Sequence, residues 1–119
     1  MRNPWLLCLS ILLLGACTAT SATGLTAAET AQHVGEQATV CGVVASAYHA
    51  DTIEGQPTFI NLDKAYPDQI FTIVVWDDYR GKFSTPPESW TGRLCATGLV
   101  RDFRGKPEIK VIDPSQIER

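Results

Sequence analysis
The chain has 119 residues, 45% of them hydrophobic, and a formal net charge of −3 at pH 7. That length supports one small domain rather than several. The negative balance excludes strong sequence-blind binding to nucleic acid, which is built from cationic contacts to phosphate, although it leaves room for a local basic patch.

The N-terminus reads as an export signal. Met1-Arg2-Asn3-Pro4 supplies one positive charge, and an apolar run from Trp5 to Leu14 follows. The run is shorter than the ~20 apolar residues a bilayer span needs, and it has the length of a signal-peptide core. Next comes Leu14-Gly15-Ala16-Cys17, whose small residues let the backbone enter a narrow peptidase site as an extended strand. This stretch resembles the bacterial lipobox. The resemblance implies cleavage before Cys17, a diacylglycerol on its sulfur and an acyl chain on the new N-terminus. It predicts a signal peptide over residues 1–16, a lipidated N-terminus and flexible tether over 17–25, and a folded domain over 26–119. The competing reading is an ordinary secretory signal with an incidental cysteine. Two or three acyl chains make a stable anchor where one is marginal, at ~0.8 kcal/mol per buried methylene.

Loss of Arg2 would leave nine Lys plus Arg against thirteen Asp plus Glu, a balance of about four negative charges. Of the four cysteines, Cys8 would leave with the signal and Cys17 would take the lipid. Cys41 and Cys95 remain, each in an apolar, strand-like segment. An exported domain meets an oxidising compartment, so the even pair predicts a structural disulfide. Two buried free thiols are the alternative. A metal or redox pair is disfavoured, because no CxxC spacing or neighbouring His accompanies them. Closing a loop of that length would stabilise the fold by about 4 kcal/mol in the chain-entropy view.

Thr18 to Gly24 is small and polar, as a tether should be. Thr26-Ala27-Ala28-Glu29 has the pattern of a capping box and opens a short helix expected to end near His33-Val34-Gly35. Everything after Gly35 reads as strand. The first strand is expected over 37–45, with Gly42 inside it marking a bulge or sharp coil. The second covers 57–63, followed by a turn over 64–68. The third covers 69–76 and is apolar on both faces. Residues 77–90 read as irregular, with one helical turn around Tyr79 to Phe83. The fourth strand covers 92–100. A hairpin tip spans Phe103-Arg104-Gly105-Lys106, with Gly105 supplying a positive φ, and the fifth strand covers 107–112. Five strands with a long gap between the third and fourth point to an all-β, small Greek-key barrel with a short N-terminal helix.

The pieces that carry a family resemblance are His33-Val34-Gly35-Glu36, Val40 to Val44, Gln56 to Lys64, Tyr66 to Thr72, Gly105 to Ile109 and Asp113 to Ile117. Together they resemble an OB-fold family of small exported bacterial proteins, similar in pattern to nucleic-acid-binding OB domains. The likeness covers nearly all of the expected domain. It implies a five-stranded Greek-key OB-fold barrel in which the first and fourth strands are neighbours, so that a Cys41–Cys95 bridge would cross them. It implies no catalytic residue, and fold alone does not fix function.

The residues themselves give no enzyme signature. His33 and His49 lack a cysteine or carboxylate at metal-ligand spacing and read as surface histidines, so no metal and no cofactor is expected. Asp77-Asp78 is a paired carboxylate that would cap the next turn as readily as serve acid–base work. For binding, an OB fold places ligand across its second and third strands, between the first loop and the last hairpin. Tyr48, His49 and Asp51 would then flank one side, and Arg101, Phe103, Arg104 and Lys106 the other. Tyr66, Trp76 and Tyr79 would extend that surface, unless Trp76, like Phe71, belongs to the core. Aromatics beside cations suit stacking on bases with phosphate contacts. The expected role is a lipid-anchored envelope module with a non-catalytic binding surface, for a protein or other envelope ligand. Single-stranded nucleic acid or oligonucleotide is the alternative. Thr18 is not the aspartate that commonly retains lipoproteins in the inner membrane. The lipobox resemblance therefore implies the outer membrane, facing the periplasm, where two membranes exist.

Overall fold
The computed structural model describes residues 24–119. The expected signal peptide over 1–16, the expected lipidation at Cys17 and tether residues 18–23 lie outside the described residues.

The described chain opens with a two-residue strand, β1 (Leu25–Thr26). Thr26 caps the segment that follows. Its hydroxyl accepts from the Glu29 amide at 3.3 Å, and the Glu29 carboxylate accepts from the Thr26 amide at 2.8 Å. The expected capping box is therefore present, but the segment it opens, Ala27–Gln32, is a 3-10 helix. Short helical segments and connectors commonly take this tighter form. The Thr30 hydroxyl donates back to the Ala27 carbonyl at 2.7 Å, satisfying a buried polar group within the turn.

Strand β2 runs Gln37–His49, four residues beyond the expected end. Its register with the next strand shifts between Val44 and Ser46. A bulge bends a strand instead of ending it, so β2 continues into a second sheet. The bend lies after Gly42, not at it. Gly42 answers a different need: a Cβ there would come within 2.8 Å of the Asp63 carboxylate. That carboxylate accepts from the Val43 amide at 2.9 Å.

The remaining strands are β3 (Thr58–Leu62), β4 (Thr72–Val75), β5 (Arg93–Phe103), β6 (Lys106–Lys110) and β7 (Ile117–Glu118). Between β4 and β5 lie a short helix, α1 (Asp77–Arg80), and a 3-10 turn at Pro87–Ser89. Strand β4 is shorter than the expected 69–76.

The pairing closes on itself. Strand β2 pairs with β3, β3 with β4 and β5 with β6, all antiparallel, while β4 and β6 run parallel. The first half of β2 pairs antiparallel with β5, which completes a ring through five strands. These are the five strands expected from sequence. The two extra ones, β1 and β7, cover β2 at Val40–Cys41 and β5 at Cys95–Ala96, where those two strands pair with each other. An uncovered edge is a template for unwanted pairing.

Alternate residues of the ring point inward. Val40, Ile60, Leu62, Phe71, Ile73, Val75, Leu94, Val100, Ile109 and Val111 are all buried in one cluster. Trp90, from the 3-10 turn, also packs into it and meets Phe83 edge-on at 5.3 Å. Cys41 and Cys95 sit directly opposite each other on β2 and β5 and form a disulfide.

Candidate binding surface
The outward-facing residues of the β2-β3-β4-β6-β5 sheet form transverse rows. Directly paired residues share a face, so the register itself defines them. One row runs Tyr48, Phe59, Val74, Lys110 across β2, β3, β4 and β6, with Val74 itself buried. The next runs Ser46, Asn61, Thr72, Glu108, Arg101 and reaches β5, with Asn61 buried in the middle of it. A third, at the β5–β6 turn, is the pair Phe103 and Lys106. Same-face neighbours along a strand are about 6.7 Å apart, so the three rows span roughly 13 Å along the strands.

The middle row is a hydrogen-bonded line. The Thr72 hydroxyl donates to Asn61 Oδ1 at 2.6 Å, and Asn61 Nδ2 donates to Ser46 Oγ at 3.0 Å. Ser46 Oγ also accepts from the Tyr66 amide at 3.1 Å. That contact folds the 63–68 turn, with its cis Tyr66–Pro67 bond, onto this end of the sheet. Tyr66 is left 73% exposed beside the row. At the other end of the row, partial burial pushes the Glu108 carboxyl above the usual glutamate range, and nearby Arg101 and Lys110 only partly offset it.

Two ends of the surface differ in sign. At the β5–β6 turn, Arg101, Arg104 and Lys106 are exposed, with Asp102 among them and half-buried Glu108 opposite Arg101. The Arg104 guanidinium lies over the Phe103 ring at 5.1 Å, and Lys106 Nζ donates to the Gln69 carbonyl at 2.7 Å. At the β2–β3 tip and the start of α1, Asp51, Glu54, Asp77 and Asp78 are all exposed. The one nearby guanidinium, Arg80, is engaged by the Glu88 carboxylate and donates to the Thr58 hydroxyl at 3.2 Å. Burial works against Glu88, but Arg80 and a backbone amide hold its carboxyl below the usual range.

Most of the expected site residues share this surface: Tyr48, Tyr66, Arg101, Phe103 and Lys106 lie on or beside the rows, with Arg104 in the adjoining turn. His49 does not. Both Tyr48 and His49 were expected in a loop; the extension of β2 makes them strand residues, and alternation sends them to opposite faces. His49 pairs with buried Thr58. Its Nε2 is buried without a hydrogen-bond partner, 3.9 Å from Asp77 Oδ1. Trp76 is half-buried on the outward side, while Phe71 is in the core. His33 bonds locally to Glu36 at 2.8 Å. Among the described residues no cluster of three or more His, Cys, Asp or Glu could hold a metal.

Sequence reasoning did not single out Phe59, Asn61, Thr72, Glu108 or Lys110. Each sits at an alternate position of its strand, a signal that says which residues share a face but not which face looks out. No family model matches the chain, and neither does any curated protein or solved structure.

Proposed function
We propose that this chain is a lipid-anchored envelope module whose OB-fold barrel binds, without catalysis, a protein or other extended envelope ligand along the outer face of β3 and β4. The ring order supports the OB reading: from β2 onward the five strands connect as 1-2-3-5-4-1, with the third and fifth parallel. The long connection between the third and fourth ring strands is the Greek-key step. The lipobox at Leu14-Gly15-Ala16-Cys17 supports the anchor.

One observation carries the choice of ligand: the exposed aromatics Tyr48, Tyr66 and Phe103 lie along a surface that is basic at one end and acidic at the other. A polyanion laid along it would be attracted by Arg101, Arg104 and Lys106 and repelled by Asp51, Glu54, Asp77 and Asp78. A protein segment with the complementary gradient satisfies both ends. Photo-crosslinking through position 48 in intact envelopes tests this. Capture of a discrete protein, reduced when Phe103 and Arg104 become Ala, is the expected result. Equal capture by both forms defeats the reading.

The second reading, an oligonucleotide, draws on the basic end alone, where the Phe103 ring lies beside three cations. Binding of a single-stranded oligonucleotide at low salt, lost in Arg101→Ala/Arg104→Ala/Lys106→Ala, would favour it. For the anchor, Cys17→Ser should abolish acyl labelling and release the domain to the soluble fraction. Persistent membrane attachment refutes it.

A further inference from the structure
At the acidic end the surface runs into an open pocket of about 470 Å³ lined by Gly55, Gln56, Trp76, Asp77, Asp78, Tyr79 and Lys110. That size lies within the range of small-molecule sites. Backbone hydrogen bonds tie its two sides together. The Asp77 amide donates to the Gly55 carbonyl at 3.1 Å, tying the β2–β3 tip to the start of α1. The Gln56 amide closes the tip on the Ile53 carbonyl at 2.9 Å. Gly55 has a φ of +82°, and a Cβ there would lie 2.8 Å from two carbons of the Trp76 ring. The Gly55 backbone therefore lies against the indole and limits its movement on that side. A wall fixed before binding costs little ordering entropy when a ligand arrives.

The chemistry of the walls selects among ligands. A bare cation would be drawn to Asp77 and Asp78 but would also meet the Lys110 ammonium. An anion would meet both carboxylates. A neutral polyhydroxylated ligand uses all of them: carboxylates and the Gln56 carbonyl accept from hydroxyls, and Lys110 and the Gln56 amide donate. Trp76 and Tyr79 add rings on which the C–H face of a sugar packs by the same apolar contact that buries aromatic surface. We infer that this cavity is a glycan subsite that takes pyranose rings of a neutral saccharide against Trp76, with hydroxyls held by Asp78, Gln56 and Lys110. The inference rests on the binding-module reading and adds to it a saccharide site beside the protein-binding face. Lys110 belongs both to the lining of the pocket and to the outer row, so the pocket adjoins the face.

The test is calorimetric titration of the full chain in detergent with cellotetraose and chitotetraose. Binding of at least one is expected, weakened at least about tenfold in Trp76→Ala and in Asp78→Asn. Arg93→Ala, on the strand pair that carries the disulfide, should bind like the parent. Asp78→Asn keeps the size of an exposed side chain, so it remains informative if Trp76→Ala fails to fold. No binding of either saccharide by the folded chain overturns the inference. So does undiminished binding by Asp78→Asn, or displacement of the saccharide by putrescine at equal concentration, which would mark a cation site. Crosslinking through position 48 reads the module separately: protein capture without saccharide binding removes the glycan subsite alone.

Discussion
Arg104 has a φ of +54° and Gly105 one of +85°, so both central residues of the β5–β6 turn are left-handed. Such turns prefer Asn-Gly, because Asn tolerates this region better than Arg. Arg104→Asn should therefore stabilise the fold by about 0.5–1 kcal/mol in urea unfolding, while weakening any ligand held at the basic end. A stabilised variant with unchanged binding would show that the arginine serves neither turn nor ligand. Glu108 makes a second, pH-dependent prediction. Partial burial raises its folded pKa above the ordinary glutamate value of 4.5. The unfolded chain then releases this proton at lower pH than the native one, so ionisation withdraws stability as pH rises from below 4.5 through the raised value. Glu108→Gln should be more stable than the parent near neutral pH, and the gap should close at about pH 3.5. A gap of the same size at both pH values would refute burial as the cause. Asp113 behaves oppositely. Hydrogen bonds from Ser115 lower its pKa, so its contribution is present above 3.8 and is lost as pH falls through the lowered value.

Strand β2 decides more at the scale of elements than any other. Its bulge lets one strand serve both sheets, and its Cys41 joins it to β5. The two cysteines are 54 residues apart, so the chain-entropy estimate for the closed loop is about 4 kcal/mol. Cys41→Ser/Cys95→Ser, or the parent under reductant, should lose up to about 4 kcal/mol in urea unfolding; a loss below about 1 kcal/mol would mean the pairing holds β2 to β5 without the bridge. Titration of the denatured, unreduced chain should find no free thiol at these two positions. The N-terminal 3-10 segment is held by its cap. Thr26→Ala removes the hydroxyl that accepts from Glu29 and should destabilise the fold by about 1 kcal/mol, read from the shift of the unfolding midpoint. The capping box was legible because it is local, three residues apart. The length of β2 was not, because the bulge depends on where Asn61 and Leu62 lie in a strand well downstream.

For the molecule as a whole, the charge gradient along the outer face makes a prediction about salt. An oligonucleotide held by Arg101, Arg104 and Lys106 would engage about three phosphates, giving a log–log salt slope of about −2. A protein spanning both ends would be weakened by salt at both, and reversing only the acidic end, with Asp51→Lys/Glu54→Lys, should weaken it further while strengthening the oligonucleotide. Improvement of both would remove the argument from charge polarity. The sequence alone determined the strand-rich class, the five ring strands, the β5–β6 turn and the cysteine pair. Each of these is written in local pattern: alternation, glycine at a positive φ, or an even cysteine count. It also marked Arg101, Phe103, Arg104 and Lys106 as neighbours, since they share one hairpin. Only the tertiary structure decided that Tyr48 and His49 part to opposite faces, that Phe59, Asn61 and Glu108 look outward, and that β1 and β7 seal the edges. It alone set Gly55 against Trp76 and brought Lys110 and Asp78 to the lining of one pocket. These juxtapositions depend on register between strands distant in sequence, and a one-residue slip would reverse every one of the faces involved.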